Sequence, residues 1–159
     1  MRKMKIDYRA LAVALSVPLI VGAVSGLISR GGMAIFAEVA KPPLSPPGWL
    51  FPVVWTLLYI LMGIASYLVY VSGEDALEKK SALGVYAVQL AFNFLWSIWF
   101  FNLRLYAFSF VWLLALLALI AATAVRFYRI AHVAGYLLIP YILWVCFAGY
   151  LNFGIAVLN

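Results

Sequence analysis

Charged residues are scarce in this sequence: only 10% of its 159 residues are Asp, Glu, Lys or Arg, and 68% are hydrophobic. A soluble domain carries about 25% charged residues. The chain has too few charged side chains to cover a water-exposed surface, so we expect a membrane protein. At roughly 20 residues per span, its length accommodates about five transmembrane helices and leaves no room for a soluble domain.

Cysteine and histidine are nearly absent as well, since Cys146 and His132 are the single residues of their kinds. One cysteine can form neither an intrachain disulfide nor a cysteine metal cluster. One histidine without a second soft ligand argues against a structural metal site. We therefore expect no metal ligands, and we interpret His132 as a solvated residue in the loop before the last span.

Carboxylates and histidine are missing from the predicted spans: all five acidic residues, Asp7, Glu38, Glu74, Asp75 and Glu78, and the single histidine fall outside them. Proton- and ion-driven carriers generally need such a group within the membrane. The sequence also has no Walker loop, no nucleophile–base pairing and no metal-ligand spacing. It argues against an energised pump and predicts neither catalytic residues nor an obligatory cofactor.

Five apolar runs predict the spans of a single transmembrane domain over residues 1–159, at about residues 10–29, 49–71, 81–101, 106–127 and 135–158. The first run is longer than the apolar region of a usual signal peptide, and no A-x-A cleavage site follows it. Pro18 should kink this first span, which a bundle tolerates. The fourth span has only Thr123 as a mid-span polar residue, so we expect it to face lipid. Residues 73–80, GEDALEKK, are predicted as a charged loop.

A proline-rich segment enters the second span and is the centre of the prediction. Residues 41–63 read KPPLSPPGWLFPVVWTLLYILMG. Proline fixes φ, lacks an N–H and biases its predecessor toward extended geometry. The segment belongs to the longest connection in the chain, and long loops in small proteins are usually lids or linkers. We therefore predict a stiff lid over a helix bundle, formed by Pro42, Pro43, Pro46, Pro47 and Trp49.

Three spans each carry one stripe of aromatic and polar side chains at helical spacing. The stripes are Trp55, Tyr59, Met62 and Ser66; Gln89, Asn93, Trp96 and Ser97; and Tyr141, Trp144, Ala148, Leu151 or Asn152, and Ile155. Polar side chains deep in lipid need partners, so these faces should point into the bundle. They act either as interhelical glue or as polar handles in a ligand cavity.

The distribution of basic residues predicts the orientation in the membrane. One side of a five-span chain holds Arg2, Lys3, Lys5, Arg9, Lys79, Lys80, Arg126 and Arg129, against Arg30, Lys41 and Arg104 on the other. The positive-inside rule places the N-terminus in the cytoplasm and both the lid and the C-terminus outside. The net charge of +6 comes from basic residues at span ends, where they set the topology and contact anionic headgroups. We therefore expect no nucleic-acid partner.

Small residues four positions apart predict self-association. Ala87 with Ala91 in the third span, and Gly22 with Gly26 in the first, would let a neighbouring helix approach closely. We expect a homodimer through one of these faces, with the third span as the first choice.

Three segments in this order carry a family resemblance: KPPLSPPGWLFPVVWTLLYILMGIASYLV, QLAFNFLWSIWFF and LLIPYILWVCFAGYLNFGIAVLN. Together they resemble the translocator protein family (TspO/MBR), also called tryptophan-rich sensory proteins or peripheral-type benzodiazepine receptors, and they indicate a bacterial member. The resemblance covers nearly the whole chain. It implies an all-α five-helix membrane bundle, with a long proline-rich loop between helices 1 and 2, that often forms homodimers.

The resemblance also implies a cavity below the first loop. That cavity would bind tetrapyrroles such as protoporphyrin IX and heme, as ligands rather than cofactors, and isoquinoline carboxamide or benzodiazepine-type drugs. Carried over by position, the ligand-facing residues are Trp55, Tyr59, Asn93, Trp96, Trp144, Ala148 and Leu151, with Pro46, Pro47 and Trp49 in the loop. Apart from the loop residues, these positions lie on the stripes that helical spacing selects. The stripe on the fifth span adds Tyr141 to the candidate ligand-binding residues.

The sequence departs from the family pattern in two places. Ile35-Phe36 and Leu44-Ser45 stand where the family usually has loop aromatics, which affects any porphyrin chemistry that depends on those rings. The cholesterol motif of animal members needs a Lys or Arg after a tyrosine at the end of the fifth span. This sequence has no such residue before Asn159, so sterol recognition is not carried over.

Three functions are compatible with these features. The leading one is a tetrapyrrole-binding membrane sensor or transporter, because a flat apolar macrocycle suits aromatic faces with a few amides and indole N–H groups. The second is an enzyme that degrades porphyrin oxidatively, with or without light, with Trp55 and Trp144 as redox-active neighbours. The third is a structural or chaperone-like membrane partner that acts through the small-residue faces.

Overall fold

Five helices in the computed structural model, which describes residues 5–159, are long and apolar enough to cross a membrane. The helices are α1 (Tyr8–Ile28), α2 (Arg30–Phe36), α3 (Leu50–Tyr70), α4 (Ala76–Ser97, continued by a π-helical turn over Ile98–Asn102), α5 (Tyr106–Ile130), α6 (His132–Tyr136) and α7 (Ile139–Leu158). Helix α2 is a short helix in the first connection, and α6 and α7 together form the last span. All regular structure in the described residues is helical, which confirms the predicted all-α membrane fold.

Aspartates define the beginnings of two of the spanning helices. The Asp7 carboxylate accepts hydrogen bonds from the backbone N–H groups of Arg9 and Ala10, and the Asp75 carboxylate accepts from those of Leu77 and Glu78. Both are N-cap contacts that satisfy otherwise unpaired N–H groups of the first turn. The cap at Asp75 starts α4 inside the stretch that the sequence predicts as a charged loop.

The long helices form an incomplete ring around a common core. Helix α3 packs against α1, α1 against α4, α4 against α5, and α5 against α7. The two helices at the ends of this series, α3 and α7, are joined at one end by the short helix α6, which packs on α3. Over the described residues, α3 and α7 do not pack backbone to backbone as the other neighbours do. This side of the ring, between α3 and α7, is bridged mainly by side-chain contacts, and we call it the open side.

Two glycines allow α1 and α3 to approach closely. A Cβ atom added at Gly22 would lie 2.3 Å from the Tyr59 ring, and one added at Gly63 would lie 2.8 Å from Cα of Leu15. Close approach through small residues is how membrane helices associate without a hydrophobic driving force. Gly22 therefore packs against α3 of the same chain, whereas a Cβ at Gly26 would meet no atom within 4 Å.

Helix α5 packs into the core along one face, so the expectation that it faces lipid is wrong for that face. Leu113, Leu116, Ile120 and Phe127 are buried there between α4 and α7. Thr123 is buried too and donates to the carbonyl of Leu119 at 2.7 Å. A helix that is apolar on all sides through most of its length packs equally well against protein and lipid, which is why the composition of α5 does not reveal its buried face. Helix α1 is more exposed and continues through Pro18.

Candidate functional site

A chain of hydrogen bonds joins α3, α4 and α7 in the middle of the bundle. The Tyr59 hydroxyl donates to Oδ1 of Asn93 at 3.0 Å, and Nδ2 of Asn93 donates to the Tyr141 hydroxyl at 2.6 Å. The Tyr141 hydroxyl in turn donates to Oε1 of Gln89 at 2.8 Å. We call Tyr59, Gln89, Asn93 and Tyr141 the central network. All four side chains are buried, and no member carries a charge.

The central network satisfies its groups internally. Each phenol donates one hydrogen bond, and the Asn93 amide uses both its oxygen and its nitrogen. The Gln89 nitrogen lies 3.9 Å from the sulfur of Met62, which is a weak acceptor. A buried polar group that loses its partner costs about 1–3 kcal/mol, so the network holds the three helices in one arrangement.

Four aromatic rings from the same helices pack on one another, and two of them are the tyrosines of the central network. The Trp55 ring centroid lies 5.7 Å from that of Tyr59, 6.5 Å from that of Trp96 and 6.1 Å from that of Tyr141. We call these four residues the central aromatic cluster. Tyr59, Trp96 and Tyr141 are buried and Trp55 is half-buried. Helical spacing therefore predicted side chains that the fold brings into mutual contact.

A second polar connection lies beside the aromatic cluster. The indole nitrogen of Trp96 donates to Oδ1 of Asn152 at 3.1 Å, and Nδ2 of Asn152 donates to the carbonyl of Tyr106 at 2.8 Å. Ala148 and Leu151 are buried on the same side of α7. Asn152 stands in the predicted stripe, but its role in orienting the Trp96 indole could not be read from spacing alone.

Trp144 lies at the edge of this arrangement. Its ring packs on Phe51 at 5.9 Å and on Phe147 at 5.6 Å between centroids, and it is half-buried. The indole nitrogen is shielded from solvent and has no hydrogen-bond partner among the described residues. Of the predicted site residues on α7, Trp144 is thus the one that faces away from the central network.

Residues 37–49, which we call the lid loop, are fastened to α7. The Tyr150 hydroxyl donates to the carbonyl of Pro43 at 2.7 Å. The Asn159 side chain pairs with the backbone of Ala40, accepting at 3.2 Å and donating at 2.8 Å. Pro42 is buried against Gly154, where an added Cβ would lie 2.6 Å from the proline ring. Sequence reasoning missed Tyr150 and Gly154 of α7, and Asn159 directly after it, as partners of the lid loop.

The other predicted lid residues are placed differently. Pro46 is half-buried, whereas Pro43, Pro47 and Trp49 are exposed, and the Trp49 side chain has a relative exposure of 67%. Trp49 is the residue just before the first turn of α3. The loop backbone covers the bundle, and these exposed rings lie on its outer side.

An aromatic layer separates the lid loop from the bundle. The Phe36 ring lies 6.4 Å from that of Phe51, 5.7 Å from that of Phe100 and 5.5 Å from that of Phe101. The Lys41 ammonium lies 4.8 Å above the Phe36 ring and donates to the carbonyls of Ala37 and Val39 at the start of the lid loop. Phe36 therefore takes part in this layer although it departs from the family's usual residue.

The interior of this site offers aromatic faces and neutral hydrogen-bonding groups. Over residues 5–159, no cluster of three or more His, Cys, Asp or Glu side chains could hold a metal ion. The groups present are suited to a flat, largely apolar molecule with a few polar atoms, held by stacking and oriented by amides. Such a molecule must separate side chains that now touch one another.

Fold and site together define a class of protein: a five-helix membrane bundle with an aromatic and amide-lined interior below a fastened loop. The model of the TspO/MBR family matches residues 14–158, and the chain belongs to that family. This confirms the resemblance inferred from the three sequence segments. The chain is a multi-pass integral membrane protein.

Similar proteins come from bacteria and animals. The tryptophan-rich protein TspO of Chlorobaculum tepidum is 37% identical over 150 residues, which cover 94% of this chain and 95% of that protein. Protein CrtK of Rhodobacter capsulatus is 39% identical over 140 residues, 87% of this chain and 85% of its own. The translocator protein of Bos taurus is 37% identical over 138 residues, 86% and 82% of the two chains.

Proposed function

We propose that this protein binds tetrapyrroles such as protoporphyrin IX or heme inside its helix bundle and acts as a membrane sensor or transporter. The observation that carries the proposal is the contact between the central aromatic cluster and the central network. It combines flat apolar surfaces with neutral donors and acceptors on three helices. Relatives named translocator protein and tryptophan-rich sensory protein support the same class of function.

The physics of this site favours a planar ligand. An aromatic pair contributes about 0.5–1.5 kcal/mol beyond its buried area, and a macrocycle could stack against more than one ring of the cluster. The Asn93 and Gln89 amides and the two tyrosine hydroxyls could exchange their mutual hydrogen bonds for bonds to the ligand. Binding is then the difference between these gains and the free energy of opening the packed interior. Isoquinoline carboxamide and benzodiazepine-type drugs, which combine aromatic rings with a carbonyl, fit the same chemistry.

A titration in lipid nanodiscs tests the proposal. Protoporphyrin IX should bind saturably and quench tryptophan fluorescence. Trp55→Ala should raise the Kd about tenfold, because it removes both a stacking contact and buried apolar area. Trp112→Ala is the matched control, since Trp112 is also half-buried but stacks on Phe92 at 4.2 Å between α4 and α5.

The outcomes separate the alternatives. A Trp112→Ala variant that loses as much affinity as Trp55→Ala would indicate nonspecific partitioning into an apolar protein. A defined porphyrin breakdown product formed at substoichiometric protein would assign an oxidative, degrading enzyme. Absence of saturable binding by the unsubstituted protein would reject the proposal and favour a structural or chaperone-like membrane partner.

We also propose that the protein is a homodimer in a bacterial cell membrane with its N-terminus in the cytoplasm. The distribution of Lys and Arg supports the orientation. The exposed positions of Ala87 and Ala91 on α4 support the dimer, because a neighbouring helix could approach them closely.

A further inference from the structure

We infer that a flat apolar ligand enters and leaves the bundle sideways, from the bilayer, through a groove between α3 and α7. This inference rests on the proposed function, because it concerns the route to the same interior site. It identifies the groove as the first binding position of a ligand that is dissolved in the membrane.

The groove lies along the open side of the helix ring. It has a volume of about 440 Å³ and is lined by Val54, Leu57, Leu58 and Leu61 on α3 and by Pro140, Leu143, Trp144 and Phe147 on α7. Every lining side chain is apolar apart from the Trp144 indole nitrogen. Aliphatic side chains of this kind can change rotamer on a nanosecond scale when exposed, so they are a poor barrier to a ligand that presses between them.

Trp144 gives the groove a preference for a ligand over lipid. Its indole nitrogen is a buried donor without an acceptor among the described residues. Leaving a buried donor unsatisfied is unfavourable. Acyl chains that fill the groove carry no acceptor and leave this donor unpaired. A flat ligand with a carbonyl, carboxyl or ring-nitrogen acceptor can satisfy it once the half-buried Trp144 ring rotates and turns its nitrogen toward the groove, so the groove favours that chemistry.

The groove is one layer of side chains away from the interior site. Val54 and Leu58, which line it, flank Trp55 on α3, and Trp55 packs on Tyr141 of α7 at 6.1 Å between centroids. Trp55 is half-buried, in contrast to the other three members of the central aromatic cluster. A ligand in the groove therefore meets the cluster first at the edge of the Trp55 ring, and a rotation of that ring would admit it.

The alternative routes are more strongly closed. Between α1 and α3, Gly22 lies against the Tyr59 ring and Gly63 against the α1 backbone, so a ligand would have to separate two helices in close contact. Through the lid loop, it would have to break the hydrogen bonds of Tyr150 and Asn159 and displace the Phe36 layer. The α3–α7 side requires only side-chain movement.

Binding kinetics test the route separately from affinity. Leu57 and Leu143 have relative exposures of 57% and 65%, so Leu57→Trp with Leu143→Trp should obstruct the groove without disturbing the core. In stopped-flow mixing of nanodiscs with protoporphyrin IX, association and dissociation should both slow about tenfold while the Kd stays within about twofold, as expected for a gate rather than a contact. Val88→Trp with Leu114→Trp, at exposed positions on α4 and α5, is the control and should leave both rates unchanged.

Two further variants strengthen the test. Trp144→Phe keeps a ring but removes the donor, so association should slow about fivefold, the equivalent of one hydrogen bond. Leu57→Cys with Leu143→Cys, in a Cys146→Ser background, can be bridged by a reversible bifunctional thiol reagent. Bridging should block exchange of the porphyrin, and reduction should restore it in the same sample, which controls for misfolding of the bulkier variant.

Several results would overturn the inference. One is unchanged rates in the obstructed and bridged proteins. Another is an increased association rate in Tyr150→Phe with Asn159→Ala, which would assign entry to the lid loop. A third is a raised Kd at an unchanged association rate, which would make the groove part of the final site. Absence of any porphyrin binding by the unsubstituted protein would instead reject the proposed function.

Discussion

The Tyr59 hydroxyl donates a hydrogen bond to the amide oxygen of Asn93 across the α3–α4 interface, at 3.0 Å and fully within the bundle. The same amide donates to Tyr141 on α7, so one asparagine holds three spans together. In a bundle whose helices are largely apolar on both the protein and the lipid side, such contacts specify which faces meet.

Replacing this asparagine should destabilise the protein. Asn93→Leu has a similar volume but leaves the Tyr59 hydroxyl without its acceptor, and we expect a loss of about 1–3 kcal/mol in the free energy of unfolding. Unfolding in mixed micelles, followed by circular dichroism, measures this. Adding Tyr59→Phe should recover part of the loss, because the unpaired hydroxyl is then gone. An Asn93→Leu variant as stable as the parent would show that the bond does not hold the helices.

Gly22 and Gly26 should respond differently to the same change. Gly22→Ala places a methyl group 2.3 Å from the Tyr59 ring, whereas Gly26→Ala meets nothing within 4 Å. We expect Gly22→Ala to lower the free energy of unfolding by about 1–3 kcal/mol through overpacking. Gly26→Ala should leave it unchanged or raise it by up to about 1 kcal/mol, because alanine is the better helix former. The comparison of the two melting curves is the measurement. Equal effects would mean that α1 and α3 are less closely packed than described.

The bonds between α7 and the lid loop should control the loop's opening. Tyr150→Phe with Asn159→Ala removes the contacts to Pro43 and Ala40. Each lost hydrogen bond contributes about 1 kcal/mol, so amide exchange in residues 37–49 should accelerate at least fivefold. Hydrogen–deuterium exchange with mass spectrometry reports this. Tyr70→Phe, at an exposed hydroxyl on the opposite end of α3, is the control; loop protection that is unchanged in the double variant would contradict the prediction.

The dimer prediction can be tested on exposed alanines of α4. Ala87→Leu with Ala91→Leu should shift the detergent-solubilised protein toward monomer, because the added side chains prevent close backbone approach. Ala115→Leu with Ala118→Leu, also at exposed positions but on α5, should leave the mass unchanged. Light scattering gives the mass. Retention of a dimer in the α4 variant would exclude this face.

The orientation can be tested by cysteine labelling in whole cells. In a Cys146→Ser background, Leu44→Cys in the lid loop should react with a membrane-impermeant maleimide and Glu74→Cys in the next connection should not. Both positions are exposed, and Leu44 has a relative exposure of 84%. The reverse pattern of labelling would place the N-terminus outside the cell.

Local periodicity predicted much of the interior but not its boundary. Tyr141, Ala148 and Asn152 lie on the inner face of α7 because they recur at helical spacing. Trp144 follows Tyr141 by three residues, about 60° around the helix, which places its indole at the edge of the stripe. A broad apolar stripe includes such edge positions, so spacing alone cannot separate a ring inside the bundle from one on its rim.

Local sequence patterns could not predict the contacts between segments that are distant in the chain. The bond between Tyr150 and Pro43 joins residues separated by 107 positions, and nothing near either residue indicates the other. The buried face of α5 was missed for a different reason. Leucines and alanines occur on all faces of this helix, so no polar face distinguishes its outer side from its buried side.

The hydrogen bonds of the central network affect which membrane molecules can enter the bundle. Phospholipid tails surround the bundle in large excess and would fill any permanently open apolar cavity within it. Because Tyr59, Asn93, Tyr141 and Gln89 already satisfy one another, a hydrocarbon chain that wedged them apart would leave their polar atoms bare and offer nothing in return. The central network therefore disfavours entry of hydrocarbon chains, and under the proposed function the bundle would open only to molecules that bring polar atoms of their own.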